Sequence, residues 1–177
     1  MHKRLAAINQ RIAAACQRAG RDFFDVTLVA VSKTVEPKLI RQAIEGGVRV
    51  LGENRVQEAA SKMPELAAIV TEHKVGWHLI GHLQSNKARR AVELFSTIQS
   101  VDSFKLAERL DNIAGELGRK LPVFIEVNLG NEQSKAGATP DEVLPLCKQV
   151  AKLANLELKG LMAVPPFFDD AEQARPY

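Results

Sequence analysis

Residues 26–37 read VTLVAVSKTVEP, and this stretch decides what kind of α/β protein the chain encodes. An apolar, β-branched run at 26–31 has the composition of a buried strand, and Pro37 is placed to open a helix. The turn between them decides the architecture. An open, doubly wound sheet announces its phosphate site by a glycine-rich turn after the first strand, whereas Ser32 to Pro37 contains no glycine. A (β/α)₈ barrel of the TIM type instead gathers its chemistry from the C-terminal ends of many strands.

Further strand-like runs follow at 48–51, 75–80, 96–101, 122–128 and 157–164. Helical stretches separate them. Pro37 opens 37–45, Ser103 is a candidate cap for 104–117, and Thr139-Pro140-Asp141-Glu142 has the pattern of a capping box with proline at the first helical position. Gly20, Gly46-Gly47 and Gly118 stand where helices should stop. A leading helix at 2–19 followed by repeated βα units implies right-handed crossovers and a parallel sheet. About six of the eight βα units of a barrel are expected in this chain.

The 177 residues are 46% hydrophobic and 25% charged, enough for one sizeable core, so a single domain over 1–177 is expected. No apolar run approaches the roughly 20 residues that cross a bilayer, so no membrane partner is expected. Cys16 and Cys147 have no C-x-x-C or histidine-rich companion, which argues against zinc and a disulfide framework and fits a reducing, cytoplasmic setting. A net charge of +3, with bases interspersed among acids, lacks the one-sided basic stripe of nucleic-acid binders. The first 21 residues carry five bases and no acid, as transit peptides do, but the segment is poor in serine and reads as a surface helix packed by Leu5, Ile8, Ile12 and Cys16.

Polar residues collect just past each strand: Ser32-Lys33-Thr34, Glu53-Asn54-Arg55, His82 with Gln84, Asn86 and Lys87, Asp102-Ser103, and Asn128 with Glu132 and Lys135. Parallel strands would bring these to one mouth, although loops are polar in any case. Lys33 is the sharpest position. Strand alternation puts it on the side of Val29 and Val31, expected to be the interior. Partial burial there would favour a neutral amine able to attack an aldehyde. The bland alternatives are a lysine that snorkels to solvent and one paired with Glu53 or Glu126. His82 suits ring stacking or hydrogen bonding, while His78, inside its strand, reads as a core or interface histidine. No third ligand stands at metal spacing, Ser32 has no nearby base, and Glu126, expected to point toward the helices, receives no role.

The runs Leu28-Val29-Ala30-Val31-Ser32-Lys33-Thr34, Gly52-Glu53-Asn54-Arg55-Val56-Gln57-Glu58 and Trp77-His78-Leu79-Ile80-Gly81-His82-Leu83-Gln84-Ser85-Asn86-Lys87 closely resemble the pyridoxal phosphate homeostasis protein family. So do Ser100-Val101-Asp102-Ser103, Glu126-Val127-Asn128 with Glu132 and Lys135-Ala136-Gly137, and Gly160-Leu161-Met162. The resemblance implies the barrel of alanine racemase, pyridoxal phosphate fold type III. It also implies pyridoxal 5'-phosphate held as a Schiff base on Lys33, with Asn54, His82 and Met162 near the cofactor ring and Lys135 at the mouth. The implied role is vitamin B6 homeostasis and amino-acid balance, by buffering the cofactor or delivering it to acceptor enzymes, without established catalytic turnover.

Members of that family continue through two more βα units, whose serine-containing and arginine-glycine-threonine segments hold the phosphate. This chain ends at Tyr177, so a C-terminally incomplete barrel is expected, completed if at all by a homo-oligomer. Two further readings stay open: a racemase-like enzyme, which would need a second base where the sequence offers only Tyr177, and a remnant that no longer binds the cofactor.

Overall fold

In the computed structural model, residues 2–130 and 136–177 are described. The strands lie in one sheet in chain order, β1-β2-β3-β4-β5-β6, and the chain forms two compact units, Met1–His78 and Leu79–Tyr177. The first unit holds α1 (His2–Ala19), β1 (Val29–Val31), α2 (Pro37–Glu45), β2 (Val50–Glu53) and α3 (Val56–Glu72). β3 (Gly76–Leu79) begins at its end. The second unit holds α4 (Ala88–Leu94), β4 (Thr97–Val101), α5 (Phe104–Glu116), β5 (Leu121–Val127), α6 (Pro140–Val150) and β6 (Leu156–Ala163). Each strand is followed by a helix except the last, and the pairings β1 with β2, β4 with β5 and β5 with β6 are parallel.

In the first unit, β1 pairs with β2 in the register Val29 with Val50, Ala30 with Leu51 and Val31 with Gly52. Leu51 is buried with Ile40 and Ile44 of α2 and Val56, Ala59, Leu66 and Ile69 of α3. The Ala30–Leu51 row is thus the helix-covered face, and the Val29–Val31 row is the other. β1 is shorter than the run 26–31 suggests. The Asp22 side chain accepts from the Phe24 N–H (2.8 Å) and winds Phe23–Asp25 into a 3₁₀ turn. Val26 closes that turn through its N–H and is therefore not free to pair. On α1 only Leu5 and Cys16 of the expected stripe are buried, and Ile8 is exposed.

The second unit shows strict alternation along β5, where Leu121, Val123, Ile125 and Val127 are buried and Pro122, Phe124, Glu126 and Asn128 are half-buried. The buried row packs with Leu106, Leu110 and Ile113 of α5 and Leu146 and Val150 of α6. Burial of such side chains stabilises by roughly 1.5–3 kcal/mol each. Glu126 therefore lies opposite the helix-covered row, on the Asn128 side, and the expectation that it points toward the helices is corrected. The Glu142 carboxylate accepts from the Thr139 N–H (2.9 Å), as the capping-box pattern predicts, and also from the Thr139 hydroxyl (2.7 Å). Ser103 takes the cap position of α5 but makes no cap bond; its hydroxyl donates to Asp102 instead (3.1 Å).

Candidate functional site

Two clusters of polar groups stand at strand C-termini, one in each unit. In the first, the chain leaves β1 at Val31 and Ser32 turns its side chain onto the helix-covered face, where it is buried. The Ser32 hydroxyl donates to Oε1 of Glu53 (2.8 Å), which is fully buried at the end of β2. Lys62, on α3, reaches the same place. Its ammonium donates to the Ser32 carbonyl (2.7 Å), to Glu53 Oε1 (3.1 Å) and to Glu58 Oε1 (2.6 Å), using all three protons. Glu58 Oε1 also accepts from the Thr34 N–H (2.5 Å).

The electrostatics follow from this geometry. Burial works against the Lys62 charge, but hydrogen bonds and attraction from Glu58 and Glu53 outweigh it and hold the ammonium above its ordinary value of 10.5. Glu58 is held below its ordinary 4.5, first by its bond with Lys62 and then by the Thr34 N–H. Two carboxylates and one ammonium are therefore packed under the turn that carries Lys33. Thr34 adopts φ 60°, the left-handed region that a β-branched residue enters only when held there.

Lys33 itself is exposed. Val29 and Val31 share the row away from the helices, but the burial expected there is corrected: Val31 is 50% exposed and Val29 half-buried. The helices cover the other row. Asn54, half-buried, directly follows the end of β2 at Glu53. Glu53 is paired with Lys62, which corrects the suggestion that it is the ion partner of Lys33.

The second unit places His82 after β3, with Nδ1 3.3 Å from Oδ2 of Asp102 at the end of β4. The imidazole is 55% exposed and the carboxylate largely covered. Glu126 on β5 is pushed above its ordinary 4.5 chiefly by burial, then by the Asp102 charge, with His82 opposing. Met162 is its register partner on β6 and is half-buried, so the expected cofactor contact Met162 shares a row with a carboxyl group that sequence reasoning left unassigned. His78 is half-buried, and burial lowers its affinity for a proton. Lys135 lies outside the described residues. Among the described residues no three His, Cys, Asp or Glu side chains gather as a metal site.

The sequence profile of the alanine racemase N-terminal domain matches residues 4–176. A pyridoxal phosphate homeostasis protein of Aquifex aeolicus is 38% identical over 175 residues, covering 99% of this chain and 75% of the relative. The chain belongs to the pyridoxal phosphate homeostasis protein family. A solved homologue of this family, PipY of Synechococcus elongatus with pyridoxal phosphate bound, is 42% identical with a TM-score of 0.79, over 96% of this chain and 76% of that one. Alanine racemase of Clostridium difficile, at 17% identity and TM-score 0.62 over 76% of this chain and 36% of that one, shares the fold. The chain is thus an α/β protein with the fold of the alanine racemase N-terminal domain.

Of the residues expected from sequence, Lys33 and Asn54 both belong to the first unit, and His82 and Met162 both belong to the second. Lys62 was missed. The signal was present as Glu58 and Lys62 four residues apart on one helix, but such pairs are usually solvated. Only the parity of Glu53 with buried Leu51 marks this one as buried.

Proposed function

We propose that this chain holds pyridoxal 5'-phosphate as a Schiff base on Lys33 and acts in vitamin B6 homeostasis and amino-acid balance as a carrier, not as an enzyme. The observation that carries the reading is the loop at the end of β1, where an exposed primary amine stands on a backbone tied on one side to buried Lys62 and on the other to half-buried Glu58. The bound cofactor would supply an aldehyde for that amine and an electron-withdrawing ring. Lys33 offers an accessible nucleophile for such a group, and we assign Asn54, His82 and Met162 to its ring; Lys135, outside the described residues, keeps the role that the family resemblance gives it.

The names of the relatives and the cofactor in PipY support this assignment. A carrier is favoured over a racemase because relatives at 38% and 42% identity carry the homeostasis name, while alanine racemase at 17% shares the fold alone. The expected partners are apoenzymes that accept the cofactor and a second copy of the chain, in a cytoplasmic setting. No helix among the described residues is long and apolar enough to cross a membrane.

The test is a visible absorbance spectrum of the purified chain with added pyridoxal phosphate, followed by borohydride reduction and peptide mass analysis. A yellow species fixed to Lys33, absent from Lys33→Ala, is expected. Wild-type chain that stays colourless and unmodified would end the proposal.

A further inference from the structure

We infer that Lys62 is a positioning residue: through Glu53 and Glu58 it fixes the backbone on both sides of Lys33 and so presents that amine to an aldehyde. The inference rests on Lys33 being the cofactor lysine and says how the protein orients it. Orientation of an exposed lysine cannot come from packing around its side chain, because Lys33 has little around it. It has to come from the main chain.

Two peptide groups flank Lys33, and one member of the Lys62–Glu58 pair holds each. The carbonyl of Ser32 accepts from Lys62 Nζ (2.7 Å), and the N–H of Thr34 donates to Glu58 Oε1 (2.5 Å), the atom that also accepts a hydrogen bond from Lys62 (2.6 Å). The Ser32 carbonyl also closes the turn by accepting from Val35 N–H (3.1 Å). With both peptide planes held, φ and ψ of Lys33 are set, and with them the direction of its Cα–Cβ bond. The left-handed Thr34 would relax without these bonds, swinging the preceding side chain away.

Glu53 completes the device from below. One oxygen accepts from Ser32 and Lys62, while Oε2 is buried without a hydrogen-bond partner among the described residues. A fully buried carboxylate left half-satisfied is costly and is retained only where its charge is needed. Here that charge holds the Lys62 ammonium at the junction of β1, β2 and α3. The arrangement lowers the ordering cost of attaching a ligand to Lys33, since the loop is ordered beforehand.

The experiment compares wild type, Glu58→Ala, Lys62→Met and Lys62→Arg, each checked for folding by circular dichroism. Two quantities are read: hydrogen exchange of the Thr34 amide by NMR without ligand, and apparent affinity for pyridoxal phosphate from the visible titration. Glu58→Ala changes a partly exposed side chain and keeps the fold if Lys62→Met does not. Loss of a charge-assisted hydrogen bond predicts about tenfold faster Thr34 exchange and about tenfold weaker cofactor uptake in Glu58→Ala and Lys62→Met, with recovery in Lys62→Arg. Uptake unchanged in folded Glu58→Ala, or Thr34 exchange unchanged, overturns the inference. A wild-type chain that forms no adduct overturns the cofactor reading instead, and the tether is then judged on Thr34 exchange alone.

Discussion

Replacing Lys62 by methionine should cost far more than removing an ordinary surface ion pair. Methionine preserves most of the buried stem and deletes the ammonium with its three hydrogen bonds to Ser32, Glu53 and Glu58. Glu53 stays fully buried, keeping only the Ser32 hydroxyl on one oxygen and nothing on the other. Breaking a buried pair from one side costs about 3–5 kcal/mol, because the remaining charge is stranded. For a chain of 177 residues, unfolding entropy near 2.1 cal/mol/K per residue converts that to a Tm fall of about 8–13 °C. Urea titration and thermal melting followed by far-ultraviolet circular dichroism measure both quantities. Pairing the change with Glu53→Gln removes the stranded charge, so the double variant should be more stable than Lys62→Met alone. A loss below about 1 kcal/mol, the range of exposed pairs, or a double variant less stable than the single, would refute the description of this cluster as a buried ionic lock.

Other perturbations probe the rest of the structure. Gly137 has φ 116°, and an added Cβ would lie 2.8 Å from the Asn128 backbone nitrogen, so Gly137→Ala should lose about 1–3 kcal/mol in denaturant titration by forcing apart the Asn128–Ala138 bridge. Glu126 is held above its ordinary 4.5, so its contribution to stability is fully present below that value and is lost as pH rises through the elevated one. Glu126→Gln should therefore raise Tm at pH 7 and leave it unchanged near pH 3; an unchanged Tm at pH 7 would contradict the burial assigned to this carboxyl. Glu58 has the opposite sign: its contribution exists above 4.5 and fades as pH falls through its lowered value, so the Tm gap between wild type and Glu58→Gln should close on acidification. Lys33→Ala, at an exposed position, should move stability by no more than about 0.5 kcal/mol while abolishing the borohydride-trapped adduct.

The order of elements was legible because hydrophobic period and helix punctuation agree along most of the chain. Pro37 and the Thr139-Pro140-Asp141-Glu142 signal place helix starts at the observed residues. β1 was overextended because Val26 belongs by composition to a strand and by hydrogen bonding to the turn begun at Asp22. The exposure of Lys33 was not legible, since parity assigns strand residues such as Val29 and Val31 to a face without saying what covers that face. Glu126 illustrates the converse error: it shares the Asn128 face because strand side chains repeat every two residues, and its neighbours Ile125 and Val127 take the covered row. Lys62 was missed for a different reason: its spacing from Glu58 marks only a helix-surface pair, and its contacts with Ser32 and Glu53 form only once β1, β2 and α3 have assembled.

Glu58 serves two masters with a single oxygen, Thr34 in the loop and Lys62 one helical turn along α3. Loop and helix start therefore share a common fate. Unwinding the first turn of α3 would release both contacts in one event, making the loop and that turn a single cooperative opening unit instead of two independently fraying segments. The lifetime of the ordered loop is then governed by how tightly Val56 and Ala59, both buried on the same turn, are seated in the core. Conservative trimming at those apolar positions would shorten that lifetime without touching a single polar group near Lys33.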